Sequence, residues 1–259
     1  MGKRAKQKNK YWEIKMSADS DNTADIFIYG EIVPDGWDWY GSDVTAISFK
    51  NELDSLGDLQ TINLYINSPG GSVFEGIAIH NMLKRHQAKV NVYVDALAAS
   101  IASVIAMAGD TIHMYKNSML MIHNPWTLAV GNSSELRKIA DDLDRIGHSS
   151  KQSYLQKAGD KLTDEKLQEM LDAETWLSAD EAYQYGLCDV ILEANQMAAS
   201  ISDELLSRYK NVPKELKNQG KNQQKSVILV EEMAKRRQIA EESKANLAYI
   251  NTILGGMYS

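Results

Sequence analysis

The central part of the chain, residues 23–195, alternates short apolar runs with stretches in which apolar residues recur at helical spacing. The pattern predicts strands over residues 25–30, 61–66, 89–94, 111–115, 118–123 and 188–192. It predicts helices over residues 43–56 (with Asp43 as N-cap), 73–86, 100–108, 133–158, 163–171 and 180–185. Strands separated by helices imply βαβ crossovers and a largely parallel sheet, so the expected fold class is α/β.

The two ends of the chain differ from this central part. Residues 1–22 are mostly polar and are expected to form an N-terminal arm, or an edge strand made from residues 12–15. Residues 196–259 are rich in Lys, Glu, Gln and Asn, and residues 226–254 carry the apolar spacing of an amphipathic helix. We therefore expect an arm, a central domain over 23–195 and a helical C-terminal extension over 196–259 that serves recognition or assembly.

The amino-acid composition argues against several classes of protein. The 259 residues carry a net charge of −7, which disfavours nucleic-acid binding. The single Cys188 excludes an intrachain disulfide and a cysteine-based zinc site, and it fits a reducing compartment. The basic segment 1–10 is not followed by an apolar core, and no apolar run approaches the roughly 20 residues of a membrane-spanning helix. We expect a cytoplasmic protein without metal, cofactor, nucleic acid or membrane.

A glycine pair marks a possible site. The segment Ile66–Ser72, Ile-Asn-Ser-Pro-Gly-Gly-Ser, connects a predicted strand to a predicted helix and can expose backbone N–H groups. It lacks the Gly-Lys-Ser/Thr of a phosphate-binding loop, although Gly-Gly turns also occur in plain connections. Ser100 follows Gly71 by 29 residues and begins a small, apolar helix, where its hydroxyl could face those N–H groups. Ser100 as a simple helix N-cap and Ser103 as the reactive serine remain alternatives.

A base and an acid could come from later strand and helix ends. His123 ends a predicted strand before Asn124-Pro125, which is where α/β sheets often carry reactive groups. A serine–histidine pair uses a carboxylate to orient the imidazole, and Asp172 and Glu174 both lie just after a predicted helix. These residues favour serine hydrolysis, while a structural histidine and a charged helix end remain open.

Residues 25–193 resemble the proteolytic subunit of Clp protease, ClpP, within the ClpP/crotonase superfamily. The resemblance rests on five segments: Tyr65–Val73, Ala98–Ser100, Met121–Pro125, Trp176–Ala182 and Tyr185–Asp189. Their order and spacing agree with the family. The resemblance implies a spiral of ββα units, to which this chain adds its helical C-terminal extension.

The resemblance also implies roles for the site residues. Ser100 would be the nucleophile, His123 the general base, and the backbone N–H groups of Gly71 and Ile101 the oxyanion hole. The acid of the family is an Asp before a Phe/Trp-Leu-Ser/Thr-Ala segment, and Glu174 holds that place here, with Asp172 as the fallback. Glutamate is one methylene longer but can still accept a hydrogen bond from the imidazole.

This chain departs from the family at two further positions. Ala96 stands where the family usually has Gly, and Ile101 where it usually has Met after the serine. Both changes lie next to the expected nucleophile. They bear on specificity and on full activity rather than on the fold.

The implied activity is that of a serine endopeptidase without an ATPase motif of its own. The resemblance implies a ring-shaped homo-oligomer that takes protein or peptide substrates, with an unfoldase ATPase as a possible partner. The divergence and the extension are more similar to ClpP-like proteases of tailed-phage head modules. Such an origin would make capsid or scaffold proteins the partners, and the host cytoplasm or the procapsid the location.

Two other functions stay open. A catalytically weak or inactive ClpP-fold assembly protein would keep the fold and use the extension for binding. A crotonase-like acyl-CoA enzyme would share the backbone oxyanion hole, but its chemistry needs no serine–histidine pair and favours carboxylates as acid and base. The presence of both Ser100 and His123 at family positions argues against the acyl-CoA enzyme.

Overall fold

A computed structural model describes residues 12–16, 22–36, 44–194 and 207–213. The chain clusters into two compact units, Met1–Lys217 and Asn218–Ser259, and every described residue belongs to the first. Asp43, most of the N-terminal arm and most of the helical extension lie outside the described residues. No helix within the described ranges is both long enough and apolar enough to cross a membrane.

The described part contains eight strands and six α-helices. The strands are β1 Trp12–Met16, β2 Thr23–Ile32, β3 Thr61–Gly71, β4 Lys89–Ala99, β5 Thr111–Tyr115, β6 Met119–Ile122, β7 Thr175–Ser178 and β8 Val190–Leu192. The helices are α1 Ala46–Ser55, α2 Val73–Arg85, α3 Ile101–Ala106, α4 Ser133–Ala158, α5 Asp164–Asp172 and α6 Ala179–Gln184, with a 3₁₀ turn at Gly159–Lys161.

The strands form one sheet in the order β1-β2-β3-β4-β5-β8, with β6 pairing β4 and β7 pairing β6. Pairing is parallel except at β1–β2 and β6–β7, which are antiparallel. The α/β class expected from the sequence is confirmed. Residues 12–16 form the edge strand that the sequence left as an alternative to a loose arm.

One strand changes partner along its length. Residues 91–94 of β4 pair with β5, whereas its last residues, 97–99, pair with residues 119–121 of β6. The sheet therefore divides at the carboxyl end of β4. As a result, the residues that follow β4 and β6 emerge side by side.

Burial alternates along β2, β3 and the first part of β4, as expected for strands that pack one face on the core. One face of β2, β3 and β4 carries fully buried Ile, Leu and Val side chains, which pack under α2 and α3. Each such side chain contributes about 1.5–3 kcal/mol through burial. The opposite face carries a row of stacked rings that runs across four strands, formed by Phe27, Tyr65, Tyr93 and His113.

Several boundaries differ from the sequence prediction. β3 and β4 each run five residues further, because the Ser-Pro-Gly-Gly segment pairs with β2 and the Leu-Ala-Ala segment pairs with β6. Local propensity alone indicates a turn and a helix start there. The predicted N-cap Asp43 is wrong, because α1 begins at Ala46 and Thr45 accepts the Ser48 N–H. β7 was not predicted, whereas the bounds of β5 and α4 are confirmed.

Candidate active site

Ser100 lies between the end of β4 and the start of α3 in an unusual backbone conformation. Its φ is 54° and its ψ is −127°, a region that costs an L-residue roughly 1–3 kcal/mol. Its N–H donates to the Met121 carbonyl of β6 over 2.8 Å. The hydroxyl does not cap α3; Oγ instead lies 2.7 Å from Nε2 of His123. Ser100 occupies the N-cap position, but its side chain is directed to a histidine.

His123 follows β6 directly, so the β4–β6 pairing brings it to Ser100. Burial holds the pKa of His123 below its usual value, while the charge of Glu174 acts in the opposite direction. The imidazole is therefore held mainly in its neutral form at pH 7. A neutral imidazole can accept a proton from a hydroxyl at this distance.

The glycine pair is explained by close packing against neighbouring backbone. A Cβ on Gly70, whose φ is 92°, would lie 2.7 Å from the Ala99 carbonyl oxygen and 2.8 Å from Cβ of Ser100. A Cβ on Gly71 would lie 2.0 Å from the Ile32 carbonyl oxygen. Both positions thus require glycine, and the turn reaches the backbone of Ser100 directly. A Cβ on Gly70 would also lie 3.1 Å from the backbone nitrogen of Ile101, so the turn that ends at Gly71 lies close to Ile101. Gly71 and Ile101 are the two residues predicted to form an oxyanion hole.

The two candidate acids have different surroundings. Glu174 sits in the turn between α5 and β7 with a φ of 51°, and its Oε1 accepts the backbone N–H of Asn211 over 2.8 Å. Asp172 accepts hydrogen bonds from Asn124 over 2.7 Å and from Gln168 over 2.8 Å. Among the described residues, neither carboxylate is hydrogen-bonded to the ring of His123. Only Glu174 acts on the pKa of His123 through its charge.

Ser103, the alternative serine, lies in the core beneath Ser100. It is fully buried, donates from Oγ to the Ser100 carbonyl over 2.6 Å, and shares a 2.7 Å hydrogen bond with the Tyr154 hydroxyl. Burial raises the pKa of Tyr154 well above its usual value, so the phenol stays neutral. Tyr154, near the C-terminal end of α4, thus supports the backbone of Ser100 through Ser103. No sequence signal singled out this tyrosine.

Two depressions meet at Ser100 and His123. One is a mostly apolar pocket lined by Val73, Ile101, Val104, Pro125, Tyr154 and Leu171, with Lys151 at its edge. The other is a groove along the glycine turn, lined by Glu31, Pro69, Gly70, Gly71, Trp126, Arg208 and Tyr209. The groove is the larger of the two and could hold an extended backbone, whereas the pocket has room for little more than one water molecule.

Residues 207–213, which we call the strap, also contact this site. The Tyr209 hydroxyl donates to the Pro69 carbonyl, and its ring meets His123 edge-on with the centroids 5.7 Å apart. Arg208 forms an ion pair with Glu31. From the sequence these residues were expected in an extension apart from the site, because a short polar stretch carries no signal of what it packs against.

Among the described residues, no group of three or more His, Cys, Asp or Glu side chains is arranged to hold a metal ion. The groups that meet at the site are a hydroxyl, an imidazole, a carboxylate and backbone N–H groups. These are the groups that acyl transfer requires.

A largely parallel α/β sheet whose strand ends bring a serine hydroxyl to a histidine, beside a glycine turn, is typical of serine peptidases. A search against protein families matches residues 21–195 to Clp protease. The chain belongs to the Clp protease family, as its sequence motifs predicted. Members of this family generally form ring oligomers and bind protein substrates.

Comparison with solved structures agrees with the family assignment. The chain is similar to a ClpP1 mutant from Listeria monocytogenes, with 27% identity and a TM-score of 0.56. The similarity covers 68% of this chain and 93% of that chain. The ClpP-like fold is therefore confirmed, and the family match ends at residue 195, before the strap.

Proposed function

We propose that the protein is a serine endopeptidase in which Ser100, His123 and Glu174 form the catalytic triad. The observation that supports the proposal most strongly is the 2.7 Å contact between Ser100 Oγ and His123 Nε2. Ser100 follows β4 and His123 follows β6, and the pairing of β6 with β4 brings these two strand ends together. The glycine turn against Ser100 supports it, because the turn is the expected source of one oxyanion donor.

The chemistry follows from these positions. As Ser100 Oγ attacks the carbonyl carbon of the scissile peptide, His123 Nε2 takes the hydroxyl proton. The carbonyl oxygen becomes an oxyanion, which the N–H groups of Gly71 and Ile101 would stabilise by about 3–4 kcal/mol per donor. The imidazolium then protonates the leaving amine, and water releases the acyl group by the same steps in reverse order. Glu174 would stabilise the imidazolium.

Fluorophosphonate labelling of the purified full-length protein tests the proposal. We expect one label per chain, mapped by mass spectrometry to Ser100. A folded protein that takes up no label would contradict the proposal, and it would favour an inactive assembly protein instead. A label found on Ser103 would show that Ser103, and not Ser100, is the nucleophile.

Glu174→Gln is expected to lower kcat/KM by about 10²–10⁴-fold, because the neutral amide no longer stabilises the imidazolium. Asp172→Asn is the matched control, since it makes the same chemical change two residues away. We expect the control to retain near-normal kcat/KM on a short fluorogenic peptide. A large loss only in Asp172→Asn would transfer the role to Asp172, and normal rates in both would indicate a serine–histidine dyad.

We also propose that the chain forms a closed homo-oligomeric ring. An extended segment between β6 and α4 presents three apolar side chains at alternate positions: Trp126, Leu128 and Val130 are 55%, 90% and 102% exposed. Exposed apolar residues at this spacing suit pairing with another chain. A ring that encloses the active sites would restrict access to unfolded substrates.

Light scattering on the full-length protein is expected to give a mass several times the chain mass of 29.0 kDa at micromolar concentration. Replacing both Leu128 and Val130 by Asp should shift the protein to smaller species, because charges would be placed in the contact. Ile47→Asp, which changes another exposed apolar residue, on α1, should leave the mass unchanged. A catalytically active wild-type monomer would contradict the ring.

The natural substrates we propose are capsid or scaffold proteins of a tailed phage, with an unfoldase ATPase as a possible partner. The support is the resemblance described above, together with the extension that follows the family match after residue 195. Incubation of the active protein with capsid and scaffold proteins encoded beside it, followed by mass spectrometry of the fragments, tests this substrate class. Cleavage of unrelated unfolded proteins at equal rates would contradict it.

A further inference from the structure

The strap, residues 207–213, reaches both walls of the groove. On the wall formed by β2 and β3, Arg208 pairs with Glu31 and the Tyr209 hydroxyl donates to the Pro69 carbonyl. On the wall formed by β6 and β7, the Tyr209 ring packs edge-on against His123 and Trp176, with centroid distances of 5.7 and 5.8 Å. The strap therefore contacts both walls of the groove, and the separation of these two walls determines the geometry of the site.

Asn211 holds the turn that carries Glu174 at two points. Its backbone N–H donates to Glu174 Oε1 over 2.8 Å, and its side-chain amide donates to the Ala173 carbonyl over 2.8 Å. Glu174 lies in a left-handed conformation that a non-glycine residue rarely adopts, so this turn needs outside support. A carboxylate oxygen can accept a second hydrogen bond, so the N–H of Asn211 can orient Glu174 and still leave it able to accept another hydrogen bond.

Tyr209 shields the imidazole. Its side chain is half-buried between His123 and Trp176, and burial raises the pKa of Tyr209 to about 12, which keeps the phenol neutral. A neutral aromatic edge beside the imidazole excludes water without adding charge. Val212, which is buried, anchors the same segment to the body of the protein.

We propose that Tyr209 and Asn211 are positioning residues of the active site, Tyr209 by covering and orienting His123 and Asn211 by orienting Glu174. This inference rests on the proposed serine peptidase function. It assigns part of the site to a segment outside the residues that match the family.

The contacts favour positioning over blockage. The strap contacts given above are made to the walls of the groove, to the His123 ring and to the turn that carries Glu174. The Ser100–His123 hydrogen bond is intact at 2.7 Å with the strap in place. The apolar pocket beside Ser100 contains no strap residue in its lining, so the strap does not occupy it.

The charged and titratable groups around His123 come from several elements. They are the Ser100 hydroxyl after β4, Glu174 before β7, Asp172 through Asn124, Lys151 of α4, and Glu31 with Arg208 in the groove. Lys151 is already paired with Asp164 over 2.6 Å, and Arg208 with Glu31. Removing the Tyr209 ring changes none of these charges. We therefore expect the removal to change the pKa of His123 mainly by letting water reach the imidazole.

The test measures kcat/KM of full-length variants on a short peptide between pH 5 and 9. In Tyr209→Ala, water reaches the imidazole and its pKa rises, so more of the base is protonated at low pH. We expect a loss that grows as the pH falls, approaching tenfold for each unit by which that pKa rises only when the pH is below the wild-type pKa, and little loss at pH 8.5. Tyr209→Phe keeps the ring and should keep the wild-type pH profile. Lys210→Ala, an exposed strap position, is the control.

Asn211→Pro and Asn211→Ala separate the backbone donor from the side chain. Proline removes the N–H that reaches Glu174, whereas alanine keeps it. We expect the proline variant to lose at least about tenfold in kcat/KM at every pH, and the alanine variant to lose less. Circular dichroism and light scattering of each variant verify that it remains folded and assembled.

Three results would overturn the inference. A rise in kcat/KM of Tyr209→Ala would make the strap an occupant that blocks the groove. A loss that is equal at every pH in Tyr209→Ala would leave Tyr209 a merely structural residue. Unchanged kinetics in Tyr209→Ala and Asn211→Pro would remove the strap from the site. Failure of the proposed peptidase function is distinguishable, since the wild type would then take up no fluorophosphonate label.

Discussion

Ser100→Ala is expected to abolish fluorophosphonate labelling and to lower kcat/KM by about four orders of magnitude or more. The hydroxyl is the proposed nucleophile, and within the described structure its single hydrogen bond goes to His123, so its removal should leave the fold intact. The measurement is peptide hydrolysis with active-site labelling, and thermal unfolding verifies the fold.

Ser103→Ala is the control for this result. Removing that hydroxyl leaves the buried phenol of Tyr154 without its partner, at a cost of about 1–3 kcal/mol in the free energy of unfolding. We expect lowered stability with labelling at Ser100 retained. If Ser103→Ala abolished labelling and Ser100→Ala did not, the nucleophile would be Ser103.

Gly70→Ala is expected to lower kcat/KM by about a hundredfold or more. The new Cβ would lie 2.7 Å from the Ala99 carbonyl oxygen and 2.8 Å from Ser100 Cβ, so the turn or the serine must move. A displacement of about 1 Å at a catalytic group can cost roughly a hundredfold in rate. Steady-state kinetics on the short peptide, with thermal unfolding in parallel, measures both effects.

Gly57→Ala is the matched control. Gly57 also has a positive φ, 70°, but a Cβ there meets no atom within 4 Å. The control carries the same kind of backbone strain, about 1–2 kcal/mol, without the clash. We expect it to lose stability and to keep its activity. Equal activity losses in the two variants would show that strain, rather than contact with Ser100, determines the effect.

The sequence could indicate the candidate site because its residues follow strand ends. Gly71, Ser100 and His123 each follow an apolar run that local pattern identifies, and a parallel sheet brings such ends to one edge. Their contact depends on β4 changing partner from β5 to β6, which is a long-range pairing. Local propensity gave no sign of it, since Leu-Ala-Ala is typical of a helix start.

Other parts of the site could not be predicted for physical reasons. Tyr154 contacts Ser103 from the last turns of a long helix, where a buried aromatic residue is ordinary core. Asn211 reaches Glu174 through a backbone N–H, a group that every residue except proline carries. Such contacts depend on tertiary packing, and the types of the residues involved do not indicate them.

The division of the sheet at β4 ties the Ser100–His123 contact to the packing of the main core. β6 pairs with β4 over only three residues, but Leu120 and Ile122 of β6 and Leu177 of β7 are buried in the same apolar core as the side chains of β2–β4. A shift of β6 and β7 that parts His123 from Ser100 would therefore disturb that core and cost folding free energy. The geometry of the proposed site thus depends on how well the whole core is packed and not on local contacts alone.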